Sequence, residues 1–211
     1  LEIGIYSDSH LDVTWKEISM NIVQQSDRIA VRWLSSYYFT RAAVSIGWIV
    51  AALTIGKSMP PVAAILLVAY PAWDAVANLL DARRNGGLTA NPSQAVNAAV
   101  SAVTAIAVAF ALGWGLHAVL AAFGLWAILS GLSQLVTGLR RWNAGAQWAM
   151  VLSGAQSALA GAFFFKLAAG ETSPGITDIA PYAAFGAFYF LVSAVWLTVA
   201  LARKPSSERT A

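Results

Sequence analysis

Arg41-Ala42-Ala43-Val44-Ser45 returns as Asn97-Ala98-Ala99-Val100-Ser101 and again as Ser153-Gly154-Ala155-Gln156-Ser157, each copy 56 residues after the last. The arm that follows repeats as well. Tyr70, Asp74, Ala75, Asn78 and Arg84 align with Trp126, Ser130, Gly131, Gln134 and Arg140 at the same offset. A third set, displaced by seven further residues, reads Tyr189, Ser193, Ala194, Leu197 and Arg203, with the extra residues placed in a loop around 171–177. A fixed period of this kind marks one supersecondary unit used several times.

Composition says where that unit lives. The 211 residues are 58% hydrophobic and 11% charged, with a mean hydropathy of +0.63, which no ordinary soluble domain matches. Six stretches are long and apolar enough to span a bilayer at roughly 20 residues each: 39–56, 62–80, 94–113, 118–139, 146–167 and 179–202. The expected fold is an all-α integral membrane protein, six transmembrane helices in three tandem two-helix repeats, preceded by an amphipathic N-terminal helix. The divisions are a cytoplasmic segment 1–36, a membrane domain 37–204 with repeats at about 37–84, 93–141 and 145–204, and a tail 205–211.

Basic residues set the orientation. Lys16, Arg28, Arg32 and Arg41 precede the first span, Arg83, Arg84, Arg140 and Arg141 follow the second and fourth, and Arg203, Lys204 and Arg209 follow the sixth. Only Lys57 and Lys166 lie on the other side. Basic residues favour the cytoplasmic side, so both termini are expected in the cytoplasm. The net charge of +3 reflects that topology and is no sign of nucleic-acid binding. With no cysteine, disulfides and thiolate chemistry are excluded. The first forty residues lack a charged start followed by a short apolar core, so no cleavable signal peptide is expected.

Leu11, Trp15, Ile18, Ile22, Ile29 and Trp33 fall within a sector of roughly 60° on a helical wheel. Asp12, Lys16, Glu17, Gln24 and Asp27 lie opposite. Thr14 and Glu17 have capping-box spacing, so one amphipathic helix is expected to begin there, with Gln25-Ser26 as the candidate place for a break. The stripe fits either the lipid interface or a partner protein, and the balanced charges argue against a polybasic lipid device. Small residues at four-residue spacing mark the odd spans: Ala43, Gly47, Ala51; then Asn97, Ser101, Ala105, Ala109, Gly113; then Ser153, Ser157, Gly161. Such stripes let helices approach closely in lipid. They place helices one, three and five in an inner ring or, alternatively, against a second subunit.

Asp74 is the acidic residue that no interface explains. It lies about 15 Å along a helix from Arg84, where an ionised carboxylate must be hydrated, paired or protonated. Asn78 shares its face and Arg41 opens the neighbouring span. These three form a candidate proton or ion site, with Ser130, Gln134 and Ser193 as milder equivalents. The structural alternative is a polar tie between helices. His117, near Glu171 and Asp178, is a candidate pH-responsive group, and Lys166 is placed to snorkel to water.

Catalysis finds no inventory here. The His-Glu-x-x-His of a metalloprotease helix is missing. Leu152-Ser153-Gly154 has Val151 where an intramembrane serine protease needs glycine, and no intramembrane histidine serves as its base. No catalytic residue, metal or cofactor site is expected. The partners expected are the lipid bilayer and either a membrane-protein complex or further copies of this chain.

Thr40-Arg41-Ala42 and Trp73-Asp74-Ala75-Val76, with Ser130-Gly131-Leu132 and Arg140-Arg141, carry a family likeness. Trp148-Ala149-Met150-Val151-Leu152-Ser153-Gly154 adds to it. From about Arg41 to Lys204 the chain resembles the HdeD-type family, small bacterial membrane proteins of short repeated hairpins associated with acid resistance. The resemblance implies a non-enzymatic protein that acts by association, in envelope or acid-stress tolerance or as an accessory subunit of a larger complex. The N-terminal segment is longer than that family's core, and glycines are lost at several helix turns. A small transporter or proton pathway through Asp74, Asn78 and Arg41 is the alternative. The Pro-x-Asp/Glu-x-x-Lys/Arg signature of mitochondrial carriers, which also use three two-helix repeats, is missing.

Overall fold

The computed structural model describes residues 9–140 and 148–203, with side chains from 18 to 140 and from 150 to 203. Its helices are α1 Ser9–Ala51, α2 Pro60–Arg84, α3 Pro92–Ala111, α4 Leu116–Arg140, α5 Trp148–Ala168 and α6 Ala180–Arg203. Each contains or forms part of a segment long and apolar enough to cross a membrane, and the chain is on that ground a multi-pass membrane protein.

The first helix departs from expectation. It is already formed at Ser9, so Thr14 lies inside it rather than at its cap, and it runs through Gln25-Ser26 without a break. Residues 9–51 hold no proline and a single glycine, Gly47, so nothing in them withholds a backbone donor or favours another conformation. Ser26 Oγ donates back to the Val23 carbonyl at 2.7 Å, a bond made within the helix. The end is a π-turn, Ala52–Gly56, in which Lys57 N donates to Ala52 O at 2.9 Å.

Proline and glycine punctuate the rest. Pro60 and Pro92 open α2 and α3, where the missing N–H costs no helical bond. Gly86 and Gly87 take φ of 94° and 91°, and Gly87 N reaches back to Ala82 O at 2.7 Å to close the end of α2. Pro71 is different because it is buried inside α2, where it leaves the Leu67 carbonyl without its helical donor. One residue earlier, the Leu66 carbonyl accepts the Trp48 indole at 2.7 Å.

The chain divides into two compact units, residues up to Ala42 with those from Phe190 onward, and Ala43–Tyr189. In the first, α1 and α6 meet through hydroxyls and rings. Ser35 Oγ lies 3.2 Å from the Ala194 carbonyl and 2.7 Å from Thr198 Oγ1, and Tyr38 stacks on Phe190 at 6.1 Å.

In the second unit α4 and α5 form the most extensive pairing, and glycine makes it. A Cβ on Gly131 would lie 2.5 Å from the Gly154 carbonyl oxygen, and one on Gly161 would lie 2.5 Å from that of Gly124. The pairs 131–154 and 124–161 run antiparallel, with seven residues between contacts on each helix. Backbone meets backbone at both, which is how helices gain dispersion energy when lipid supplies no hydrophobic drive.

The expected ring of odd-numbered helices finds no support in these contacts. The α5 stripe is spent on α4, through Ser153, Ser157 and Gly161 with Gly154 beside them. A Cβ on Gly47 would meet nothing, and Ala109 of α3 and Gly113 just beyond its end are exposed, although Ser101 and Ala105 are buried. Aromatic residues of the even helices meet instead: Tyr70 lies 5.8 Å from Trp126, edge to face, and Trp126 lies 5.9 Å from Tyr182. Rings of this size bury more apolar surface than alanine stripes do, so they take the interior.

Gly131→Ala and Gly154→Ala are each expected to cost about 1–3 kcal/mol by overpacking, whereas Gly47→Ala should be neutral. Thermal unfolding of the three variants in one detergent checks the contrast.

Candidate functional site

Asp74 stands half-buried near the middle of α2, one turn below Tyr70 and one above Asn78. Its Oδ2 accepts the Ser101 hydroxyl at 2.7 Å and the Asn78 amide at 3.0 Å. The Asn78 nitrogen also donates to the Asp74 backbone carbonyl at 2.8 Å, and because that carbonyl can only accept, the orientation of the Asn78 amide is determined. Ser101, fully buried on α3, accepts the Trp126 indole at 2.9 Å. An indole can only donate, so the serine hydrogen points at Asp74. Both donors therefore converge on Oδ2. Helices α2, α3 and α4 are tied by this one chain of bonds.

A second acid lies on the same face and was missed in the sequence reading. Asp81 follows Asp74 by seven residues, about 10 Å along the helix, and repeats its arrangement. Asn85 Nδ2 donates to Asp81 Oδ1 at 2.8 Å and to its backbone carbonyl at 2.9 Å, and Gln94 of α3 donates to Oδ2 at 3.1 Å. The signal was present as Asp-x-x-x-Asn at 74–78 and again at 81–85, and nearness to Arg83 and Arg84 concealed it. Asn97 lies between Gln94 and Ser101 on α3, and its buried Oδ1 has no hydrogen-bond partner among the described residues.

The 56-residue period reappears in the contacts, with one correction. Ser101 takes its donor from Trp126, and Ser157 lies 3.0 Å from the Tyr182 hydroxyl, 25 residues apart in both cases. Ser157 gives its own hydrogen to the Ala127 carbonyl at 2.9 Å, so Tyr182 is the donor. Tyr182 therefore occupies the place of Trp126, and the third arm is in plain register there, not displaced to Tyr189. Tyr189 bonds Gln156 Oε1 at 2.8 Å. At the position equivalent to Asp74 stands Ser130, whose buried Oγ has no partner among the described residues. The carboxylate is thus what turns the repeated serine from a backbone carbonyl toward a side chain.

The other named residues have contacts of their own. Gln134 accepts from Ser153 at 3.3 Å, between α4 and α5. Ser193 belongs to the other unit. So does Arg41, whose guanidinium lies 4.1 Å over the Phe190 ring and donates to the Tyr37 hydroxyl at 3.2 Å. His117 Nε2 meets the Gly170 carbonyl at 3.2 Å, which places a hydrogen on that nitrogen. Asp178 caps its own turn through Gly175 N at 2.7 Å, and Glu171 and Lys166 are exposed. Of the N-terminal stripe, Ile18, Ile22 and Ile29 are 42%, 62% and 52% exposed. Trp33 is half-buried and stacked on Tyr37 at 5.2 Å, which withdraws it from that stripe. The side chains of Leu11 and Trp15 lie outside the described residues, as do Arg141, Lys204 and Arg209.

A family described as a short repeat of unknown function (DUF308) matches residues 96–166, covering most of α3, all of α4 and most of α5. The match agrees at a coarse level with the HdeD-type resemblance. No curated protein and no solved structure matches the chain. Fold and match together define a membrane protein of unknown function.

Ser101→Ala leaves the Trp126 indole without its acceptor and Asp74 without its shortest donor, an expected loss of about 1–3 kcal/mol. Ser157→Ala should cost less, because Tyr182 is only partly buried. Thermal unfolding followed by tryptophan fluorescence checks the order.

Proposed function

We propose that this protein is a non-enzymatic, bacterial inner-membrane protein of the HdeD type, built from three tandem two-helix units, with cytoplasmic termini. It acts by association, in envelope or acid-stress tolerance or as an accessory subunit of a larger membrane complex. The observation that carries this reading is the length of α1. Its 43 residues extend about 65 Å, roughly twice the hydrocarbon thickness of a bilayer. The half that a span does not need keeps Ile18, Ile22 and Ile29 in the open. These three share one helical face, with Met20 and Val23 exposed outside it, and apolar residues so grouped are a contact surface.

Replacing Ile18, Ile22 and Ile29 together with Ser should reduce the native mass of the gently extracted protein by whole subunits while its unfolding temperature stays put. An unchanged assembly would remove the proposal.

One observation favours a second reading, a small transporter or proton pathway. Ser101 and Trp126 converge on Asp74 and Asn78, with Asp81 and Gln94 further along the same two helices. Intramembrane carboxylates in a chain of polar groups are characteristic of proton relays. Asp74→Asn should then abolish proton flux in proteoliposomes with expression intact, and equal flux in both proteins would refute it.

A further inference from the structure

We propose that the N-terminal half of α1 pairs with the same segment of a second copy of this chain as a short parallel coiled coil. The inference rests on the association reading and names the partner. Leu11, Trp15, Ile18, Ile22, Gln25 and Ile29 are spaced by four, three, four, three and four residues. This is the alternation of a and d positions in a heptad, narrower than the broad apolar face by which a helix packs on a globular core. Trp15, Ile22 and Ile29 take one position, and Leu11, Ile18 and Gln25 the other. The helix is continuous across all of them, so the register is unbroken for about 27 Å.

Three features select a second copy over another occupant. Gln25 interrupts the seam at one d position and is exposed. Against an apolar groove or lipid tails its amide would lose its hydrogen bonds at a cost, but against Gln25 of a second copy donor meets acceptor. A single polar residue in a seam is how coiled coils define register. Of the flanking positions between Thr14 and Ile29, Ser19, Asn21 and Ser26 are uncharged, as is Thr14, and Arg28 carries the one charge, so the turns from Trp15 to Gln25 bring no like charges together. Copies inserted under the same basic-residue bias also share one orientation, which makes the pairing parallel and in register. Confinement to one membrane raises the local concentration, so a seam too short to hold free peptides suffices.

The absence of native cysteine makes the test direct. Single variants Ile22→Cys, Gln25→Cys and Ile29→Cys, with Gln24→Cys and Asp27→Cys as outer-face controls, are oxidised in proteoliposomes. Seam positions should form disulfide dimer about tenfold faster than the controls, since only a and d positions approach bonding distance across a two-stranded seam. Gln25→Leu should increase dimer trapped at Ile22→Cys, because burying an amide costs stability. Equal trapping at all five positions, or none, overturns the second copy as partner. If trapping fails yet the triple Ser variant still loses native mass, the stripe serves a different protein and the association reading stands. If neither changes, both fall.

Discussion

The Trp126 indole sits buried where lipid surrounds the bundle, with one hydrogen to give and no water to take it. Inside a bilayer such a donor must find an acceptor in the protein. The acceptor is Ser101, which must then pass its own hydrogen on, and Asp74 takes it. A direction runs through three helices from the donor-only chemistry of one ring. Tyr70, Tyr182 and Phe123 pack edge to face around that ring, so the aromatic interior and the polar tie share a single anchor.

The same absence of water explains the division of labour among the helix pairs. Where acids and amides occur, as between α2 and α3, hydrogen bonds hold the helices together. Between α4 and α5, where no acid occurs, glycines let the backbones touch and the hydrogen bonds of Ser153 and Ser157 are secondary. Both devices replace a hydrophobic drive that cannot act between helices already in hydrocarbon. Arg41 follows a related logic, lying over Phe190 and against the Tyr37 hydroxyl, where aromatic rings supply the partial negative charge that solvent would.

The constraint reverses in the half of α1 that a single span does not need, which carries Ile18, Ile22 and Ile29 exposed while its charges offset one another. Such a helix gains from a lateral partner, because isolated helices are marginal in water. This is the physical ground on which association is preferred to a pathway through Asp74.

Spans, loops and the 56-residue period were legible in the sequence, because hydropathy, proline, glycine and basic residues act locally. The 148–203 stretch shows the limit of that reading: counting back from Arg203 put Tyr189 in the aromatic position, while contact with Ser157 put Tyr182 there. Asp74 and Asn78 could be placed on one face from their spacing, but not the serine and indole that complete the site, since those arrive from helices whose rotation the sequence leaves open. Asp81 was hidden by arginines that follow it in the chain. The small-residue stripes were visible, yet which neighbour each would meet was decided only by the aromatic rings that took the interior. Helix identity is a property of near neighbours along the chain, whereas helix pairing depends on how volumes and donors fit across it.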